Sequence, residues 1–122
     1  MIAAAWSTWV KWNGSIEQTL IDGHHQLAGD ATIAEARRLG VKAGTPSLLD
    51  VVVLDDRPRL GRCWVLSQKE LHQHFGSKTP ARKAIEAGSA TFIQKLEAAQ
   101  AVAITAFTRG VPTAVLFAGK PD

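Results

Sequence analysis

The sequence predicts an α+β domain: a mixed sheet with a hairpin at each end of the chain and about four short helices packed on it. Three observations carry that prediction. The run Trp9-Val10-Lys11-Trp12-Asn13-Gly14-Ser15-Ile16-Glu17-Gln18-Thr19 sets aromatic and β-branched residues around an Asn-Gly turn signal. Ser67 and Glu70 have capping-box spacing, and Gly76 follows as a stop. The apolar runs Ala101 to Thr108 and Val111 to Ala118 flank Arg109-Gly110, which reads as a second hairpin.

Composition bounds the rest. The chain has 122 residues, enough for one domain to bury roughly two-thirds of its unfolded surface. Apolar residues make up 46%, too many for a disordered chain. No apolar run approaches the ~20 residues of a membrane span, and the opening Met1 to Trp6 lacks the basic segment of a signal peptide. The single cysteine, Cys63, has no partner for a disulfide and reads as a small buried hydrophobe, in keeping with a cytoplasmic protein. A net charge of +3 permits an anionic partner without demanding one.

Taken in order, residues 6–12 form a strand. Its return arm reads either as a strand, the preferred assignment, or as a helix over 16–22 with Ser15 and Gln18 at capping-box spacing and Gly23 as stop. The next helix begins either at Asp22-Gly23, with His24 and His25 in its first turn, or at the Thr32–Glu35 capping box. The latter gives a helix over 33–39 ended by Gly40, with Ile33, Ala36 and Leu39 as its buried stripe. Arg37 and Arg38 then lie near its C-terminus, where the helix dipole favours positive charge. Thr45-Pro46 stops helical structure. Residues 49–54 are nearly all apolar and predict a central strand covered on both faces. Asp55-Asp56 end it as a solvated turn, neutralised by Arg57, Arg59 and Arg62.

Residues 62–66 read as another strand. A helix follows over 68–75, with Leu66 and Leu71 placed for a hydrophobic staple. Thr79 caps the next helix, with Pro80 at its first position and Gly88 just past its end. Residues 90–100 form a third helical stretch with Phe92, Ile93, Leu96 and Ala99 on one side. Pro112 places the last strand at an edge, or marks its start.

The candidate site is Asp22, Gly23, His24, His25 and Gln26. A glycine admits close backbone approach, the N–H groups of a helix start attract phosphate, and two histidines add donors near neutral pH. That chemistry suits a nucleotide or another anionic small molecule, with no second acid or serine at nucleophile spacing. Leu20-Ile21-Asp22-Gly23-His24-His25-Gln26-Leu27, continued by Ala36-Arg37-Arg38-Leu39-Gly40 and Val51-Val52-Val53-Leu54-Asp55, resembles the ParB/sulfiredoxin-type domain. That resemblance implies a hairpin, then a phosphate-binding turn opening a helix, then an apolar strand. Its members include CTP-binding DNA-partition proteins, kinases of free serine and sulfiredoxins. Gln26 departs from the pattern, standing where the family has an arginine, and residues 28–32 add length. A fainter likeness ties the C-terminal part to Phd/YefM-type antitoxins: Leu66 to Leu71 is similar to their opening strand and helix, and Ala103 to Thr105 with Arg109 to Leu116 to their hairpin.

Two further readings stand beside the ligand site. Trp6, Trp9 and Trp12 recur at three-residue spacing and predict an oligomer or partner interface. On a strand, Trp6 and Trp12 share one face and Trp9 takes the other. A DNA-associated regulator needs Arg57, Arg59, Arg62, Lys78, Arg82 and Lys83 on one phosphate-contacting surface. His72 and His74 point to different sides of a helix, and no metal set or cofactor is predicted.

Overall fold

A computed structural model describes residues 5–43 and 47–120. The protein is α+β, built on one five-stranded mixed sheet. β1 (Trp6–Lys11) leads to α1 (Ile16–Ala28) and α2 (Ile33–Ala43). A 3-10 turn over Leu48–Asp50 precedes β2 (Leu54–Asp55) and β3 (Cys63–Val65). Then come α3 (Gln68–Phe75), α4 (Arg82–Gln94), β4 (Ala101–Thr108) and β5 (Val111–Gly119). The strand order is β1-β5-β4-β3-β2, with the β2-β3-β4 pairs parallel and the rest antiparallel.

The C-terminal hairpin is the centre of the molecule, not an edge. β4 and β5 pair along their whole length, and almost every residue from Ala101 to Phe107 and Ala114 to Gly119 is buried. Alternation splits them between two cores. Ala101, Ala103, Val115 and Phe117 join Val10, Leu20, Leu48 and Cys63 under α1. Val102, Ile104, Leu116 and Ala118 join Leu71, Ile85 and Phe92 under α3 and α4. Both sheet faces are thus covered by helices. Pro112 is the second residue of β5 and stands opposite Phe107, where an extra residue breaks the register; the Phe107 N–H turns instead to the Pro80 carbonyl, 2.8 Å away.

Several local expectations hold. α3 spans residues 68–75 between a full Ser67–Glu70 capping box and Gly76 in the left-handed conformation, and Leu66 and Leu71 are buried together. The Thr32 hydroxyl accepts from the Glu35 N–H at the start of α2. Trp6 and Trp12 pack on the α1 face, and Trp9 on the other.

Others are overturned. Asn13-Gly14 does not close a hairpin: Ser15 caps a helix, accepting from the Gln18 N–H, and β1 pairs with β5 at the other end of the chain. That helix runs past Gly23 to Ala28. α2 runs past Gly40 to Ala43, and Arg37 therefore lies mid-helix, where its Nε donates to the Leu49 carbonyl at 2.6 Å. The Thr45-Pro46 stop lies outside the described residues. Residues 49–54 are not a central strand. Ser47 and Asp50 make a capping box that diverts them into a 3-10 turn, only Leu54 and Asp55 join the sheet, and they form its outer edge. α4 starts two residues late, behind uncapped Ala81, because Pro80 is buried and its carbonyl serves Phe107. It also passes through Gly88, where a side chain would meet the Phe75 ring at 3.4 Å, and ends at Gln94 rather than splitting in two.

Candidate functional site

The five residues expected at a phosphate-binding turn lie in the body of α1, two turns beyond its start. Their backbone N–H groups serve the helix ladder, so no cradle of free donors forms there. Gly23 is a packing glycine: a Cβ would stand 2.6 Å from Leu48 Cδ2 and 2.9 Å from Val10 Cγ2. The Asp22 carboxylate accepts from Asn13 Nδ2 at 2.8 Å and Gln18 Nε2 at 3.3 Å, which fastens the loop after β1 to the helix. His24 is 8% exposed, and its Nε2 lies 3.1 Å from the Leu48 carbonyl. Since a carbonyl only accepts, Nε2 carries the proton. His25 and Gln26 are exposed. The sequence motif is therefore a seam in which Gly23 and His24 seat α1 on the 3-10 turn.

Burial lowers the His24 pKa below its usual 6.5, against the smaller opposing pull of the Leu48 and Val51 carbonyls. The folded state then takes up this proton less readily than the unfolded chain. Stability from His24 is complete above the unfolded pKa and declines as pH falls through it toward the lowered value. Urea unfolding at pH 7.5 and 5.5 should show this loss. It should shrink in His24→Gln, which keeps a donor near Leu48 and does not titrate.

The basic residues fall into two groups at opposite ends of β4. Arg62 precedes Cys63, which pairs with Ala101 at the start of β4, whereas Pro80 and the first turn of α4 meet Phe107 near the end of β4. Six strand residues at ~3.3 Å each separate the two groups by roughly 20 Å. Arg59 and Arg62 both lie 3.6 Å from Asp55, and Arg57 lies 3.4 Å from Asp56. Arg82 is paired with Glu86 at 2.9 Å and lies over the Trp9 ring. Among the described residues no three His, Cys, Asp or Glu side chains gather as metal ligands, and no helix is long and apolar enough to cross a membrane. Cys63 is buried and its thiol is pushed up to about 12, so it carries no thiolate chemistry.

The site that the fold does assemble lies on the opposite side of the sheet. β3 holds Trp64 toward α3 and α4, beside the edge where β2 is only two residues long. His74 in α3 meets Phe92 in α4 edge to face at 4.8 Å, and Trp64 lies 5.7 Å from Phe92 and 6.2 Å from His74, centroid to centroid. The loops before β3 and before β4 are tied by the Gly61 N–H to the Ala99 carbonyl at 3.1 Å. Between these parts opens a cavity of about 250 Å³ lined by Pro58, Trp64, His74, Phe92, Lys95, Leu96, Glu97 and Gln100. Trp64 Nε1 is buried with no hydrogen-bond partner, alone in that respect among the described side-chain polar atoms.

Sequence reading missed this site. Trp64, His74 and Phe92 come from three separate elements with no shared spacing, and only the β3-α3-α4 crossover brings them together. No protein-family model, curated protein or solved structure matches the chain.

Proposed function

We propose that the protein is a small-molecule-binding domain that takes a planar ligand against the wall formed by Trp64, His74 and Phe92. The observation that supports this reading is a cavity of about 250 Å³ walled by the Trp64, His74 and Phe92 side chains. A cavity on the order of 150 Å³ admits one benzene ring, so this one has room for a one- or two-ring molecule. Three rings set edge-on and tilted offer stacking to such a ligand. The rim holds one charge of each sign, Lys95 and Glu97. Recognition then rests on stacking more than on net charge.

Calorimetric titration with benzoate, indole and adenine tests the proposal on wild type, Trp64→Phe and His74→Ala. At least one ligand is expected to bind wild type. Trp64→Phe keeps a smaller ring and should weaken every ligand about tenfold. His74 is exposed, so its truncation should leave the fold intact while weakening every ligand. No binding by any planar ligand, or equal binding by all three proteins, sinks the proposal.

A further inference from the structure

We infer that β1 is a self-complementary sheet edge through which two copies of this chain pair antiparallel, centred on Trp9. The argument begins with the ladder to β5. The Trp12 N–H bonds the Thr113 carbonyl at 3.0 Å, which continues the β1–β5 register in which Val10 faces Val115 and Thr8 faces Phe117. Hydrogen-bonded pairs alternate along an antiparallel ladder. Trp6, Thr8, Val10 and Trp12 therefore spend their backbone groups on β5, and Ser7, Trp9 and Lys11 turn theirs outward. Among the described residues none of these three has a backbone partner on that outer side. Ser7 and Lys11 are exposed. No bulge, proline or inward charge blunts this edge between Trp6 and Lys11.

A second copy fits this edge in one register better than in any other. A two-fold axis perpendicular to the sheet makes the pairing antiparallel and keeps each face continuous. With Trp9 opposite Trp9 of the second copy, Ser7 stands opposite Lys11 and Lys11 opposite Ser7. All the outward N–H and C=O groups of the three residues are then satisfied in both copies. The same register sets Trp6 opposite Trp12 of the second copy on the α1 face, so the tryptophans meet symmetrically about the axis. Their three-residue spacing places Trp6 and Trp12 equally far from Trp9 along the strand. Shifting the centre to Thr8 sets Lys11 opposite Ala5, before β1 begins, and takes Trp6 and Trp12 out of register with each other. Charge agrees: Lys11 meets a serine rather than its own copy, and Arg82 over Trp9 is already neutralised by Glu86.

Sedimentation equilibrium across micromolar to millimolar concentration tests the pairing with a charge swap at the two exposed positions. Wild type should approach twice its 13.1 kDa mass as concentration rises. Ser7→Lys sets two like-charge pairs across the edge and should weaken the dimer about tenfold. Adding Lys11→Glu to it restores opposite charges and should recover the dimer. Circular dichroism of each variant reports the monomer fold. A monomer at every concentration overturns the inference, and so does a dimer whose strength ignores both substitutions.

Discussion

Gly23→Val is expected to destabilise the protein by about 3 kcal/mol, the upper range for forcing atoms into a packed core. Two buried side chains leave no room: Leu48 is fully buried, Val10 is 3% exposed, and both already stand where a Cβ would go. Neither can retreat without disturbing β1 or the 3-10 turn. Valine also loses rotamer freedom inside a helix, which adds to the cost. A domain of this kind has only about 5–15 kcal/mol in total, so the urea midpoint should fall markedly. His25→Ala, two residues on and exposed, should stay within about 0.5 kcal/mol of wild type. If Gly23 instead served ligand approach, Gly23→Val would unfold like wild type and the seam described for α1 would be wrong.

Phe117→Ala should cost about 3–5 kcal/mol, as expected for an aromatic removed from a closed core. Phe117 is fully buried on the central hairpin, between Thr8 on β1 and Ala103 on β4, and it packs against the layer that carries α1. Val52→Ala gives the contrast. Val52 sits in the most apolar stretch of the chain yet is 63% exposed, and its truncation should cost less than about 0.5 kcal/mol. Denaturant unfolding of both variants reads the sheet order directly. A large loss at Val52 with a small one at Phe117 would restore 49–54 as the central strand.

The elements were more legible than their places. Local signals with a direct hydrogen-bond meaning survived: the Ser67–Glu70 box, the Thr32 cap and the Arg109-Gly110 turn all stand where the residues put them. Signals that depend on what lies across space did not. Asn13-Gly14 is as good a hairpin sign as any, but β5, a hundred residues away, took β1 as its partner. The run of valines at 51–53 reads as core by hydropathy alone, yet the Ser47–Asp50 box turns the chain before it reaches the sheet. Gly23 and Gly88 look like stops and are instead close contacts between a helix and its neighbours. The same limit hid the cavity. A histidine pair beside an Asp-Gly step stands out in a sequence, while Trp64, His74 and Phe92 are scattered until α3 and α4 fold over β3.

The most direct measurement is the indole N–H region of a two-dimensional proton–nitrogen NMR spectrum during titration with planar ligands. Trp64→Phe identifies the Trp64 signal by its disappearance. Binding in the cavity predicts that this signal moves as a ligand ring packs against the indole, while the amides of His25 and Gln26 stay still. Ligand-induced shifts gathered at residues 22–26, with the Trp64 signal unmoved, would return the site to α1 and contradict the account.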